Sequence, residues 1–186
     1  MDKQLITLVA GARPNFMKIA PIVRELDRLG DTFNFRIFNS NQHLDKEMNE
    51  VFISELDIPK PDVYLNENSG TPLEQIARIM EGFEKECINN RPDVVLVVGD
   101  VNSTLACAIV AKKLCIKLAH VEAGPRSGDR EMPEEVNRIL TDSISDLLFV
   151  TEPSGVDNLI NEGHSMNKIH YVGNVMIDNL FFKKKS

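Results

Sequence analysis

No apolar run in this 186-residue sequence is long enough to span a bilayer. The N-terminal stretch MDKQLITLVAGARPN meets Gly, Arg and Pro too soon for a signal peptide, so a first strand of a cytoplasmic protein is expected there, with no membrane contact. Cysteine is scarce. Cys87, Cys107 and Cys115 are odd in number and lack CxxC spacing, which points to reduced packing residues rather than a disulfide framework or a thiolate metal site. Excess basic charge is missing too: the formal net charge of -7 removes the main source of affinity for nucleic acid, while leaving room for a local basic pocket. No GxGxxG motif follows the first apolar run, no GxxxxGK[ST] loop is present, and no His/Asp spacing resembles a metal site. Internal repeats and low-complexity segments are absent, and the one charge run, Lys183 to Lys185, reads as a solvated tail.

What is present is an ordinary globular composition, 42% hydrophobic and 26% charged, sufficient to bury the core of one domain. Short apolar runs at residues 5–10, 33–38, 94–98, 118–121, 147–150 and 169–172 read as strands, with a further short one at 63–65. Helical patterns fall between them. Phe16, Ile19, Ala20, Val23 and Leu26 share one helical face, and further helices are expected over residues 44–56, 72–89, 102–114, 133–145 and 153–162. Such alternation requires an α/β fold: a Rossmann-like parallel sheet with helices on both faces and right-handed crossovers.

Four loops follow the carboxyl ends of these strands, the rim on which open α/β sheets bind ligands. Gly11-Ala12-Arg13-Pro14-Asn15 combines close backbone approach, a forked cation and a helix start, with Lys18 one turn further on. Gln42 and His43 lie in a second loop, and Gly99-Asp100 closes the most apolar strand, VVLVV. The longest stretch, KLAHVEAGPRSGDREMPEEVNR, ends a strand at Glu122 and restarts a helix at Pro133, with Glu134 and Glu135 at its positive end. Asp100 and Glu122 close strands joined by one crossover, so they are expected to share a pocket toward which Glu134 is launched. Acids crowded in this way would have some pKa values raised, one holding a proton while another accepts one. His43 and His120, each taken alone, read as structural.

In order and spacing, GARPNFMKIAP, NQH, PDVVLVVGDVNSTLA, HVEAGPRS, MPEEVNR and VGNVMID resemble the UDP-N-acetylglucosamine 2-epimerase family, in its non-hydrolysing bacterial type. The resemblance runs from Leu5 to about Asp178. It departs at Ala12, Asn15 and Pro125, and at a shorter loop before Pro133 that leaves Glu131, Glu134 and Glu135 as alternatives for one family acid, the PEE register favouring Glu134. The family fold is the two-domain GT-B type, of which only the first domain is matched. The resemblance thus implies a domain over residues 1–173, the start of a linker or a tail over 174–186, and a second domain without counterpart here. The implied reaction uses no nicotinamide and no metal: a base removes the C2 proton of UDP-N-acetylglucosamine as UDP leaves C1, and UDP adds back after reprotonation on the other face. Asp100, Glu122 and Glu134 are then the acid/base groups. Arg13, Lys18 and Arg138 hold phosphate or orient the acids, and Gln42 and His43 contact an activating second UDP-N-acetylglucosamine. A homodimer is compatible with the family. Rival readings are the hydrolysing epimerase, which releases free sugar, a GT-B glycosyltransferase, and a non-catalytic nucleotide-sugar-binding domain.

Overall fold

The computed structural model describes residues 3–40, 53–65 and 70–185. In chain order the elements are β1 (Gln4–Ala10), α1 (Arg13–Arg28), β2 (Phe33–Asn39), β3 (Val63–Tyr64), α2 (Pro72–Asn89), β4 (Val94–Val98), α3 (Asn102–Lys113), β5 (Lys117–Ala123), α4 (Pro133–Ile144), β6 (Leu147–Val150), α5 (Pro153–Asn161), β7 (Ile169–Tyr171) and α6 (Val175–Lys185). Most of the helix expected over residues 44–56, and Gln42 and His43 with it, lies outside the described residues.

Proline places the helix starts. Pro14, Pro72, Pro133 and Pro153 each occupy the first turn, where a missing N–H costs no hydrogen bond. At α2 a capping box adds to this: the Thr71 hydroxyl accepts from the Glu74 amide at 3.3 Å, and the Glu74 carboxylate accepts from the Thr71 amide at 2.7 Å.

All seven strands are parallel, in the order β3-β2-β1-β4-β5-β6-β7. Alternate residues of the strands feed two large cores, and a smaller third cluster of Ala123, Leu148, Val150, Leu159 and Ile169 joins β5, β6 and β7 to α5. Leu96 and Val98 join Leu8, Ile37 and the Phe16, Ile19, Ala20 and Val23 face of α1. Val95 and Val97 join Val9, Phe38 and Leu118 beneath α2 and α3, where the Phe38 and Phe83 rings meet edge to face at 4.9 Å. Cys87 and Cys107 belong to this second core, whereas Cys115 is exposed in the turn that ends α3, which corrects its reading as a packing residue. The chain starts at β1, builds outward to β3, then returns to the other side of β1 at β4. The β1/β4 junction is therefore the topological switch point, and it opens a crevice at the carboxyl ends of the strands.

Residues 174–186, read from sequence as the start of a linker or a tail, carry α6, and this helix docks on α1. The cause lies in α1 itself. Pro21 has no N–H, so the Met17 carbonyl four residues earlier loses its helical partner. The Asn179 side-chain amide donates to that carbonyl instead, and Asn179 Oδ1 takes a hydrogen bond of 2.6 Å from Arg24. The Arg24 guanidinium also lies over the Phe182 ring, 4.1 Å from its centroid.

Candidate active site

Asn15 stitches the switch point together. Its Oδ1 accepts from the Gly11 and Ala12 amides at 3.2 and 2.9 Å, and its Nδ2 donates to the Val98 carbonyl at 3.1 Å. The loop after β1 is thereby tied to the end of β4. Arg13 opens α1 on the exposed side of this loop. Lys18, one turn on, reaches across the junction to an ion pair with Glu122, at the end of β5.

Two backbone irregularities aim the acids. Gly99 adopts φ +68°, a left-handed conformation that a side chain would strain. A Cβ there would stand 3.1 Å from Lys18 Nζ and 3.4 Å from Glu122 Oε2, so the ion pair lies directly against the Gly99 backbone. Glu122 itself has φ +71°, and it sits where the pairing of β5 with β6 shifts by one residue between Val121 and Ala123. Such a bulge re-aims a side chain, and a non-glycine left-handed residue stores strain of about 1–3 kcal/mol.

Asp100 leaves β4 one residue after Gly99 and pairs with Arg138 on α4. Its carbonyl accepts from Asn137 at 2.9 Å. Arg138 also binds Glu135 at 2.6 Å. Glu135 is buried, and its carboxylate accepts from the Ser127 and Gly128 amides at 3.1 Å, which organises the loop leading into α4. Gly124 starts that loop at φ +95°; a Cβ there would lie 2.5 Å from the Gly155 carbonyl oxygen, so the loop runs backbone against backbone over α5.

The structure therefore brings Asp100, Glu122, Lys18 and Arg138 to one rim, on neighbouring strands and the helices that follow. There Asp100 faces Arg138 and Glu122 faces Lys18, so each carboxylate has its own cation. Of the three alternatives in the PEE region, Glu135 points inward and holds the loop. Glu134 and Glu131 are exposed, and neither side chain has an ion pair among the described residues. Sequence reading missed what Asn15 and Asn137 hold together, and it set Glu135 behind Glu134. The side-chain amides of Asn15, at a helix start, and Asn137, just past a first turn, were the available signal.

Behind the rim runs a buried chain of charge. His120 is fully enclosed, with Nδ1 2.6 Å from Asp142 and Nε2 2.8 Å from the Gly99 carbonyl oxygen. Asp142 also accepts from the Gly124 amide at 3.1 Å and from Arg126 at 2.8 Å. Arg126 is clasped by both oxygens of Glu162, at 2.7 and 2.6 Å.

Burial is the strongest single influence on the Asp142 and Glu135 carboxyls and pushes both upward, yet it is overcome. His120 and Arg126 bring Asp142 below the usual carboxylate range, and the Ser127 and Gly128 amides with Arg138 and Arg126 do the same for Glu135. Folded-state values below the unfolded ones, about 3.9 for Asp and 4.3 for Glu, mean that ionisation stabilises the fold at every pH above those values. That contribution disappears as pH falls through the lower folded-state values. The urea midpoint of residues 1–186 is accordingly expected to hold steady toward acid and to fall below about pH 4. Glu135→Gln should start lower and fall less steeply; an acid slope identical to the parent's would show that Glu135 carries none of this linkage.

Among the described residues, no group of three or more His, Cys, Asp or Glu side chains is placed to hold a metal ion, and no helix is long and apolar enough to cross a membrane.

A seven-stranded parallel sheet with helices on both faces and its crevice at the β1/β4 switch point is a Rossmann-like domain, of the kind that forms one half of a GT-B-type fold. The same fold occurs in a lipopolysaccharide outer core galactosyltransferase, at 14% identity and TM-score 0.63 over 92% of this chain and 45% of that one. The sequence profile of the family described as UDP-N-acetylglucosamine 2-epimerase matches residues 24–186, and the chain belongs to that family. It is 44% identical over 173 residues to the UDP-N-acetylglucosamine 2-epimerase of Methanococcus maripaludis, covering 93% of this chain and 46% of that protein. Identity is also 44%, over 184 residues, to the UDP-2,3-diacetamido-2,3-dideoxy-D-glucuronate 2-epimerase of Pseudomonas aeruginosa, covering 97% and 52%. The crystal structure of the Methanocaldococcus jannaschii UDP-GlcNAc 2-epimerase with UDP-GlcNAc and UDP superposes with TM-score 0.91 at 42% identity, over 98% of this chain and 51% of that one. The chain thus spans about half the length of these relatives.

Proposed function

We propose that this chain supplies the acid–base half of a UDP-N-acetylglucosamine 2-epimerase, acting with a second domain of the kind that fills the other half of its relatives. The observation that carries the reading is the placement of Asp100 and Glu122, each facing its own cation, at the switch point of the sheet. Carboxylates at this position can act as general base and general acid, and inversion at C2 needs a proton acceptor on one face of the sugar and a donor on the other. Glu134, exposed at the start of α4, is assigned to the same proton traffic. Arg13, Lys18 and Arg138 supply positive charge for the diphosphate that develops as the C1–O bond breaks. Gln42 and His43 are assigned to the binding of a second, activating UDP-N-acetylglucosamine. Residues 1–173 form the domain proper, and α6 carries the chain away from it while remaining docked on α1.

The test is a chimera in which residues 1–186 replace the matching half of the M. jannaschii relative. Proton NMR should show UDP-N-acetylglucosamine converting to UDP-N-acetylmannosamine, with deuterium entering at C2 in heavy water. A folded chimera that binds UDP without exchanging the C2 proton would overturn the reading. Stoichiometric free N-acetylmannosamine would convert it to the hydrolysing type. The likeness to the P. aeruginosa enzyme favours a second substrate, UDP-2,3-diacetamido-2,3-dideoxy-D-glucuronate, which asks for the same chemistry at C2; both sugars belong in the assay. Homodimerisation is part of the same proposal, and light scattering on the chimera reads it directly.

A further inference from the structure

His120 is buried between the Asp142 carboxylate and the Gly99 carbonyl, and the proton traffic above makes no use of it. It lies on β5 two residues before Glu122. Its Nε2 faces a carbonyl oxygen, which only accepts, so Nε2 carries a hydrogen. Its Nδ1 faces Asp142, whose other oxygen already accepts from the Gly124 amide and from Arg126. A carboxylate in that setting accepts at both oxygens, so Nδ1 carries a hydrogen as well. Either neutral tautomer would set a ring lone pair against an oxygen lone pair, at 2.8 Å from Gly99 or at 2.6 Å from Asp142. Only a ring with two donors satisfies both oxygens at once, and beyond Asp142 lie Arg126 and Glu162.

The acceptor at the other end of the ring is the left-handed residue against which the Lys18–Glu122 pair packs. The Gly99 N–H donates to the Val121 carbonyl at 3.0 Å, and its own carbonyl takes the His120 hydrogen bond. Both polar groups of Gly99 are thus held by β5, the strand that carries Glu122, while the next residue is Asp100. We propose that His120 is a positioning residue, an imidazolium fixed by Asp142 that clamps the Gly99 carbonyl and so sets Asp100 relative to the Lys18–Glu122 pair. The consequence for turnover rests on the epimerase reading; the clamp itself does not.

Nitrogen-15 NMR of residues 1–186 at neutral pH should show both ring nitrogens of His120 protonated, with N–H protons protected from solvent, unlike those of the exposed His170. A single ring N–H would overturn the proposal. Two substitutions divide the clamp from simple packing. In His120→Gln the amide nitrogen takes the place of Nε2 and still reaches Gly99; in His120→Asn it takes the place of Nδ1 and does not. The Gly99 and Asp100 backbone amide signals should move in His120→Asn and return toward the parent in His120→Gln. In the chimera, His120→Asn should lower kcat by ~10²-fold with KM nearly unchanged, the scale of a misplacement of about 1 Å, and His120→Gln should recover most of it. Equal losses in the two variants, in step with equal drops in Tm, would reduce His120 to a packing residue and end the proposal. An inactive parent chimera would instead count against the epimerase reading, while the NMR arm still decides the clamp.

Discussion

Asp100→Asn and Glu122→Gln, each made in the chimera, are expected to lower kcat by about 10²–10⁴-fold, the usual worth of a positioned general acid or base. The substitutions are nearly isosteric, so Arg138 and Lys18 keep a polar neighbour and the rim keeps its shape. What is lost is the capacity to take up and return a proton. KM should change far less, because the cations that meet the diphosphate remain in place. Thermal melting separates chemistry from stability here, since Asp100 and Glu122 are both partly exposed. Glu134→Gln and Glu135→Gln make the internal comparison. Glu134 is exposed, so its substitution should leave stability within about 0.5 kcal/mol and, if the PEE register holds, still lower kcat. Glu135→Gln should lower Tm instead, because three hydrogen bonds from the loop amides and one from Arg138 converge on its carboxylate. Unchanged turnover in Asp100→Asn or in Glu122→Gln would remove that residue from the proton traffic.

Much of the frame was legible because local signals and the global fold agree. VVLVV is short, β-branched and bounded by Pro92 and Gly99, which reads as a buried strand, and proline in the first turn marked four of the helices. Alternation alone then fixed a parallel sheet and put the Gly11, Gly99 and Glu122 loops on one rim. The details that were not legible depend on partners far apart in sequence. Nothing local to Val175–Lys185 says that it docks on α1; that follows from an acceptor freed by Pro21 and met by Asn179, 162 positions after Met17. Helix α4 defeats the hydrophobic pattern outright. Its buried face carries Glu135, Asn137, Thr141 and Asp142, while Val136 and Leu140 are 40% and 45% exposed. An inverted helix of this kind is stable because the loop amides, Asp100, Arg126 and His120 pair Glu135, Asn137 and Asp142, and a pattern of apolar spacing cannot see such partners. Only the Thr141 hydroxyl of that face is left without a hydrogen-bond partner among the described residues. The same inversion decides between Glu134 and Glu135, one residue and about 100° of helix apart. The cation pairing of the acids escaped for a related reason: Lys18 to Glu122 spans 104 positions, and both backbone turns that aim it have positive φ.

Residues 1–186 as an isolated polypeptide are expected to fold, to keep the Asp100–Arg138 and Lys18–Glu122 pairs, and to show no measurable epimerisation. Folding follows from the closed alternation of strand and helix and from two cores that cover both faces of the sheet. Inactivity follows from the open crevice. Asp100 and Glu122 are 27% and 31% exposed, so water reaches the carboxylates and weakens every electrostatic effect that would stabilise a departing diphosphate. On the proposed function, the opposite wall supplies further contacts to the uridine and diphosphate, which Arg13 and Lys18 alone do not replace. Orientation of the reacting groups is worth about 7–11 kcal/mol of barrier, and a sugar nucleotide held from one side forfeits much of it. An NMR time course of purified 1–186 with UDP-N-acetylglucosamine decides the point, run beside the chimera at equal concentration. Conversion by the isolated chain at a rate near that of the chimera would show that the acids on this rim need no opposite wall, and that the site has been drawn on the wrong face of the cleft.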